Sequence, residues 1–320
     1  MLYKKQTKIL LSIIAALILV YVLSIIFEPE RRVSRSAAFT WLEPKLKDQV
    51  DRIRIINSGE TKEFVMRNHE WFVVYNGREY PARQFRIEDF LSIFTQRAQY
   101  PLRASTAFSH ERLGLTEAAA SRIILSGGVG LPLLDLLIGQ GDLTGQNVYL
   151  RRQGQNDVRS GEDRFTAYMT SPRSSWYSLR FFPESEGGRL DVDGIQRVRI
   201  ITQTDTGTVT QVFTRSGREW TFSGLDIANP DMNKVDTYIR GILYTEGDDF
   251  IDFIDAGDQM FSDSRIELEF GNGTQTIIRL SPPDENNRRY ATMSGAWYVY
   301  SIPGWVSTRL FRDAEFFEKD

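Results

Sequence analysis

The chain has 320 residues, enough for roughly two ordinary domains. Its 41% hydrophobic and 25% charged content is that of a folded globular protein, which excludes wholesale disorder. A net charge of −3 gives no broad basic field for nucleic acid, and the absence of cysteine excludes disulfides, thiolate metal sites and cysteine nucleophiles.

Residues 1–8 form a short leader carrying Lys4, Lys5 and Lys8. The run "ILLSIIAALILVYVLSIIF", residues 9–27, is free of charge and close to the ~20 residues that a helix needs to cross a bilayer. A secretory leader would have a shorter apolar core, about 7–15 residues, and a small-residue cleavage site beside it. The only nearby small triplet, Ser36-Ala37-Ala38, lies well beyond the apolar end. The segment is therefore expected to be an uncleaved transmembrane anchor, followed by a juxtamembrane linker at 28–44. A basic leader before a long polar domain predicts a single-pass protein of the inner (cytoplasmic) membrane with its bulk extracytoplasmic. Arg31, Arg32 and Arg35 after the span leave the charge count itself undecided.

Beyond the linker the chain reads as one domain written twice, 45–184 and 190–320, joined by a Gly- and Glu-rich linker at 185–189. "RIRI" from Arg52 matches "RVRI" from Arg197, and Trp71 in "FVMRNHEWFVV" matches Trp220 in "VFTRSGREWTF". "SRIIL" from Ser121 matches "SRIEL" from Ser264, Tyr149 matches Tyr290, and "FTAY" from Phe165 is set against "WYVY" from Trp297. Each list closes on W-x-S-x-R-x-F: Trp176, Ser178, Arg180, Phe182, then Trp305, Ser307, Arg309, Phe311.

Within each copy the elements follow from period. "VDRIRIIN" alternates and is rich in β-branched residues, which predicts a strand. The Trp71 and Trp220 stretches predict hairpins turning near Asn68 and at Ser216-Gly217. Ile87, Phe90, Leu91 and Phe94 stand at i, i+3, i+4 and i+7, one face of a helix, and Val235, Tyr238, Ile239 and Ile242 repeat the spacing. The "SRI" segments predict hairpins around Gly127-Gly128 and "GNG"; "FTAY" and "WYVY" are expected to be strands. The fold class expected is α+β, two tandem, structurally similar domains, each an antiparallel sheet with one main helix, behind one N-terminal transmembrane helix.

No chemistry is declared. His69 and His110 have no partner at metal-ligand spacing. "SGGVG" from Ser126 lacks the Lys-Ser/Thr of a phosphate loop. The acidic stretch 246–263 carries Glu246, Asp248, Asp249, Asp252, Asp255, Asp258 and Asp263, where the first copy has Arg97, Arg103 and Arg112. It reads as a solvated face, as a docking surface, or as a set of oxygen ligands for calcium without the ordered loop such a site needs. The tryptophans Trp71, Trp220, Trp176 and Trp305 read as core, with a ligand groove as the alternative. In the closing motif Trp and Arg four apart share a helical face, so Arg180 and Arg309 could stack on them.

An early tryptophan strand, a helix, "LGL" at Leu113–Leu115 before an R-I-x-L strand, "VY" at Val148-Tyr149 and an S-x-x-R end follow a membrane helix. In this order the chain resembles a bacterial domain family of unknown function, linked to the auxiliary subunits of gliding-motility-type ABC transporters. The second copy departs from the pattern, lacking "LGL". The resemblance implies an envelope accessory protein working with an ABC permease or another envelope protein, and brings no catalytic, cofactor or metal residues. The expected function is a membrane-anchored extracytoplasmic interaction protein without catalysis. The alternatives are an envelope polysaccharide- or peptide-binding protein with an aromatic groove, and a hydrolase with two carboxylates of the acidic stretch within about 5–10 Å.

Overall fold

A computed structural model describes residues 38–128, 132–182, 192–204, 207–223, 229–254 and 264–319, with 14, 17, 18, 21, 257 and 259–261. The leader, most of the expected anchor and the 185–189 linker lie outside the described residues. Within the anchor stretch Ile14, Leu17, Ile18 and Tyr21 are helical and exposed. Among the described residues no helix is long and apolar enough to cross a membrane.

The fold is α+β, with mostly antiparallel sheets and few helices. Packing divides the chain into two compact units. One is Met1–Trp71 with Phe85–Ser171; the other is Phe72–Gln84 with Pro172–Asp320. Residues 172–182 thus fall in the second unit.

The first sheet begins with β2 (Arg52–Asn57), β3 (Glu60–Arg67), β4 (Glu70–Tyr75) and β5 (Arg78–Pro81), after a two-residue strand β1 (Ala38–Phe39). Their turns, Ser58-Gly59, Asn68-His69 and Asn76-Gly77, all have positive φ at both residues. That is the mirror-image turn whose twist suits a tight hairpin, and Asn and Gly tolerate it best. In β2 the fully buried Ile53 and Ile55 alternate with exposed Arg52 and Arg54, so one face joins the core. Helix α1 (Gln84–Thr95) buries Ile87, Phe90, Leu91 and Phe94, the stripe its spacing predicts, and Ile93 besides. Each such side chain contributes about 1.5–3 kcal/mol when buried.

After α1 come β6 (Ala98–Gln99), β7 (Leu102–Ala104), helix α2 (Phe108–Arg112), β8 (Ser121–Ser126), β9 (Leu134–Gly141), β10 (Asn147–Arg152), β11 (Val158–Glu162) and helix α3 (Thr166–Thr170). The strand order is β5-β4-β3-β2-β8-β9-β10-β11-β7, and β1 pairs with β6 apart from it. Ser126 of "SGGVG" ends β8, residues 129–131 lie outside the described residues, and β8 pairs with β9 through Ser121 with Ile138 and Leu125 with Leu134. Gly127 has no room for a Cβ, which would overlap the Gln49 carbonyl.

The second sheet holds β12 (Ile195–Thr204), β13 (Gly207–Ser216), β14 (Glu219–Ser223), β15 (Asp249–Ile251), β16 (Ser264–Phe270), β17 (Gln275–Leu280), β18 (Arg289–Met293) and β19 (Val299–Ile302). Helix α4 (Met232–Leu243) follows β14, and α5 (Gly304–Leu310) follows β19. The order is β14-β13-β12-β16-β17-β18-β19-β15. Strand for strand this repeats β4-β3-β2-β8-β9-β10-β11-β7. Asp231 caps α4 by accepting from the Asn233 amide at 2.9 Å and the Lys234 amide at 3.4 Å. Below it Val235, Tyr238, Ile239 and Ile242 are buried. Glu267 of β16, nearly buried, is held by Arg199 at 2.8 Å and Arg265 at 2.7 Å.

One expected element is different. "FTAY" is not a strand: Phe165 precedes α3, and Thr166–Tyr168 lie within it. The strand facing Tyr149 is Val158–Glu162, which pairs Tyr149 with Ser160 as β19 pairs Tyr290 with Ser301. A shared aromatic spacing had drawn "FTAY" to "WYVY", whereas the ladder aligns neighbours by hydrogen bonds.

Candidate functional site

The sites suggested by composition have mostly structural roles. His69 is exposed in the β3–β4 turn, and a ring nitrogen of His110 lies 3.1 Å from the Asn156 carbonyl. Trp71, Trp176 and Trp220 are buried at 2%, 0% and 5% exposure, which removes them from any groove. Trp305 is different, 66% exposed on α5 with the Arg309 guanidinium 5.6 Å from its ring centre. It is therefore not a packing residue like Trp176, although the two share a sequence motif.

The acidic stretch is divided among several tasks. Glu246 meets Arg180 at 2.8 Å, Asp248 lies 3.5 Å from Arg288, and Asp252 accepts from Asn76 at 2.8 Å. Asp255, Asp258 and Asp263 lie outside the described residues. Of the facing arginines in sequence, Arg97 donates to the Ala38 carbonyl and Arg103 to the Ser160 hydroxyl. Among the described residues no group of three acidic or imidazole side chains could hold a metal ion.

A cavity of ≈370 Å³ opens in the second unit, where β15 runs into the start of that acidic stretch. Three stretches distant in sequence wall it: Tyr75 and Tyr80 of the β4–β5 hairpin, then Arg173, Ser174 and Tyr177, and Asp249 to Phe253. The hairpin is positioned by its Asn76-Gly77 turn and by the Asn76–Asp252 bond. The middle stretch is a turn of 3-10 helix, Arg173–Trp176, pinned when the Trp176 carbonyl accepts from the Arg83 amide at 2.8 Å. Ser178 then donates to the Pro81 carbonyl at 2.8 Å. β15 is set by its pairing with β19, Phe250 opposite Tyr300.

Aromatic packing joins the walls. Phe250 stacks on Tyr80 with centroids 5.1 Å apart and meets Tyr177 edge-on at 5.0 Å. Trp297, 44% exposed, lies 5.0 Å from the Tyr80 ring and carries Arg78 over its face at 5.3 Å. Arg173 lies 4.0 Å from the Tyr75 ring centre. Phe253 at the rim is 75% exposed.

Polar atoms punctuate these rings. The Tyr80 hydroxyl is buried without a hydrogen bond of normal geometry, although the Arg78 guanidinium is close. Burial raises the Tyr80 and Tyr177 phenols above their ordinary pKa. The Asp249 carboxylate accepts from the Phe250 amide at 2.9 Å and has no ion pair among the described residues. Burial raises its pKa, opposed by the Phe250 amide and, more weakly, by Arg288 and Arg173.

No family model matches the chain. No curated protein matches it.

A second depression, ≈640 Å³, has ion pairs in its walls: Arg215 to Asp193 at 2.8 Å and Arg240 to Asp236 at 2.6 Å. Two of its three guanidinium groups, those of Arg215 and Arg240, thus already have carboxylate partners. The aromatic cavity is the better candidate site, since an unbonded phenol and an unpaired carboxylate line it. Sequence reading singled out Asp249 and Asp252 but passed over Tyr75, Tyr80, Arg173, Tyr177, Phe250 and Phe253. Their one local signal was aromatic density, and only folding brings the three stretches together.

Proposed function

We propose that this protein is a non-catalytic interaction module, anchored in the inner membrane by residues 9–27 with its bulk extracytoplasmic, and that the aromatic cavity is its recognition site. The cavity carries the reading: a space bordered by aromatic rings and unsatisfied polar atoms suits holding a ligand. Work alongside an ABC permease rests on the family resemblance alone. The reading as an envelope polysaccharide- or peptide-binding protein is favoured by the exposed rings of Phe253 and Trp297.

The chain is proposed to be a tandem duplication, with a register different from that of the sequence motifs. The matching strand orders support it. So do the closing bonds: Arg83 amide to Trp176 carbonyl, 2.8 Å, has its counterpart in Asp231 amide to Phe317 carbonyl, 2.7 Å. Tyr177 bridges Ala82 as Glu318 bridges Pro230. Trp176 therefore corresponds to Phe317, a separation of 141 residues (317 − 176), the same as Tyr149 to Tyr290. Trp305 corresponds instead to Arg164. The same separation sets Arg180, bridged to Glu246, against Phe39, paired with Ala98. "LRFF" from Leu179 is then the entry segment of the second copy, so the copies meet near Ser178.

Two experiments test the reading. Alkaline extraction should leave the full chain in the membrane and release a chain beginning at residue 38; release of both removes the anchor. A photo-crosslinking residue at position 253 should give a discrete adduct in cells. The same residue at Phe108, 94% exposed in the first unit, should not. No adduct at 253, or equal adducts at both, counts against the cavity as the recognition site.

A further inference from the structure

We infer that the ligand of the aromatic cavity is a saccharide, one sugar unit of a longer glycan seated in the space that Tyr75, Arg173 and Asp249 line together with the packed Tyr80, Tyr177 and Phe250 rings, with the chain leaving past Phe253. The inference rests on the reading of this cavity as the recognition site.

A sugar ring has an apolar C–H face and a rim of hydroxyls that both donate and accept. The cavity offers the complement of both. Its walls are aromatic, and among the described residues Ile251 is the one aliphatic side chain in its lining. A pocket for an apolar peptide side chain would be expected to have more aliphatic surface. Hydroxyl-matching groups are mixed in kind: the unbonded Tyr80 phenol can donate or accept, the unpaired Asp249 carboxylate accepts, and the Arg173 guanidinium donates. A buried unbonded phenol is costly in the empty state, and a ligand hydroxyl would relieve that cost.

Charge narrows the class. Arg173, Asp249 and Asp252 all line it, so both signs border the space. A polyanionic glycan would meet the two carboxylates, and a simple cation would meet the guanidinium already seated on Tyr75. A neutral, hydroxyl-rich ring avoids both conflicts. Continuation beyond one ring is suggested by Phe253 at the rim. Such exposed ring faces are surfaces on which sugars can stack.

The test is calorimetric titration of the full chain in detergent. The probes are two neutral hexasaccharides, β-1,4-linked glucose and β-1,4-linked N-acetylglucosamine, with a neutral decapeptide of mixed sequence beside them. At least one hexasaccharide should bind. Phe253→Ala and Tyr80→Phe should each weaken it about tenfold, roughly what one aromatic contact or one hydrogen bond to a buried group supplies. Phe108→Ala should leave it unchanged. Because Tyr80→Phe could disturb packing, its thermal midpoint is measured alongside. Phe253→Ala, at an exposed position, is the independent check. Binding of neither sugar overturns the saccharide assignment. If the peptide then binds with the same Phe253 dependence, or the adduct at position 253 persists, the cavity survives as the recognition site. If there is no adduct either, both readings fail.

Discussion

The Phe317 carbonyl accepts the amide of Asp231 at 2.7 Å, the residue that also caps helix α4 through its side chain. One short 3-10 turn at Glu315–Phe317 thus meets the helix entry, with the Phe317 ring completely buried against Phe213 and Tyr238 at 5.0 and 5.2 Å. Trp176, also fully buried, makes the equivalent bond with Arg83.

Phe317→Ala and Trp176→Ala should therefore each destabilise by about 3–5 kcal/mol, the usual result of emptying an aromatic core position. Trp305→Ala should cost less than about 1 kcal/mol, since it loses one exposed ring and one cation–π contact. Urea unfolding of the three variants checks the order. Equal losses at Trp176 and Trp305 would restore the sequence-motif register.

Much of the architecture is legible in the sequence because period-2 and helical spacing are imposed by burial. Ile53 and Ile55, and the stripe from Ile87 to Phe94, need only a solvent-free side. The closing motif misled because identity between Trp176 and Trp305 carries no information about burial. In the proposed register the counterpart of Trp176 is Phe317, and what the two share is a backbone bond to the segment before a helix. The cavity was illegible for another reason. Tyr80 and Phe250 come from stretches 170 residues apart (250 − 80), with Tyr177 from a third between them, each ordinary by itself, and no local pattern marks their convergence.

Gly161 of β11 faces the Tyr100 ring so closely that a Cβ would overlap it. Tyr100 in turn meets Phe39 and Trp41 edge-on at 5.4 and 5.2 Å, so the ring has little room to retreat. Gly161→Ala should cost about 1–3 kcal/mol, the range for overpacking a filled site. The loss should shrink when Tyr100→Leu is added, which a double-mutant cycle in urea would detect. Strict additivity would mean that the strain lies elsewhere.

Asp142 organises the turn between β9 and β10. It accepts from the Thr144 hydroxyl at 2.6 Å, the Asn147 side-chain amide at 2.8 Å and the Thr144 amide at 3.1 Å. These bonds, the Thr144 hydroxyl foremost, lower its pKa to about 2. Because the folded value is below the unfolded one, its contribution is present above about pH 4 and lost as pH falls toward 2. Carboxyl-carbon NMR should give the low midpoint, and Thr144→Val should raise it. A midpoint near 4 in the parent chain would show the turn unbonded.

Asp249 has the opposite sign. Its folded pKa is raised by partial burial, so the folded state binds the proton more tightly than the unfolded chain does. Stability then falls as pH rises through the interval between the two values and is level above it. Asp249→Asn, which never ionises, should be at least as stable as the parent at pH 7, and the difference should shrink in acid below the unfolded carboxylate range. The same change replaces a full acceptor at the cavity wall with an amide, so saccharide affinity should fall while stability does not. Thermal midpoints across pH, measured beside the titration, separate the two effects. A variant that loses stability and binding together at pH 7 would make Asp249 a structural residue and leave the cavity without its unpaired acceptor.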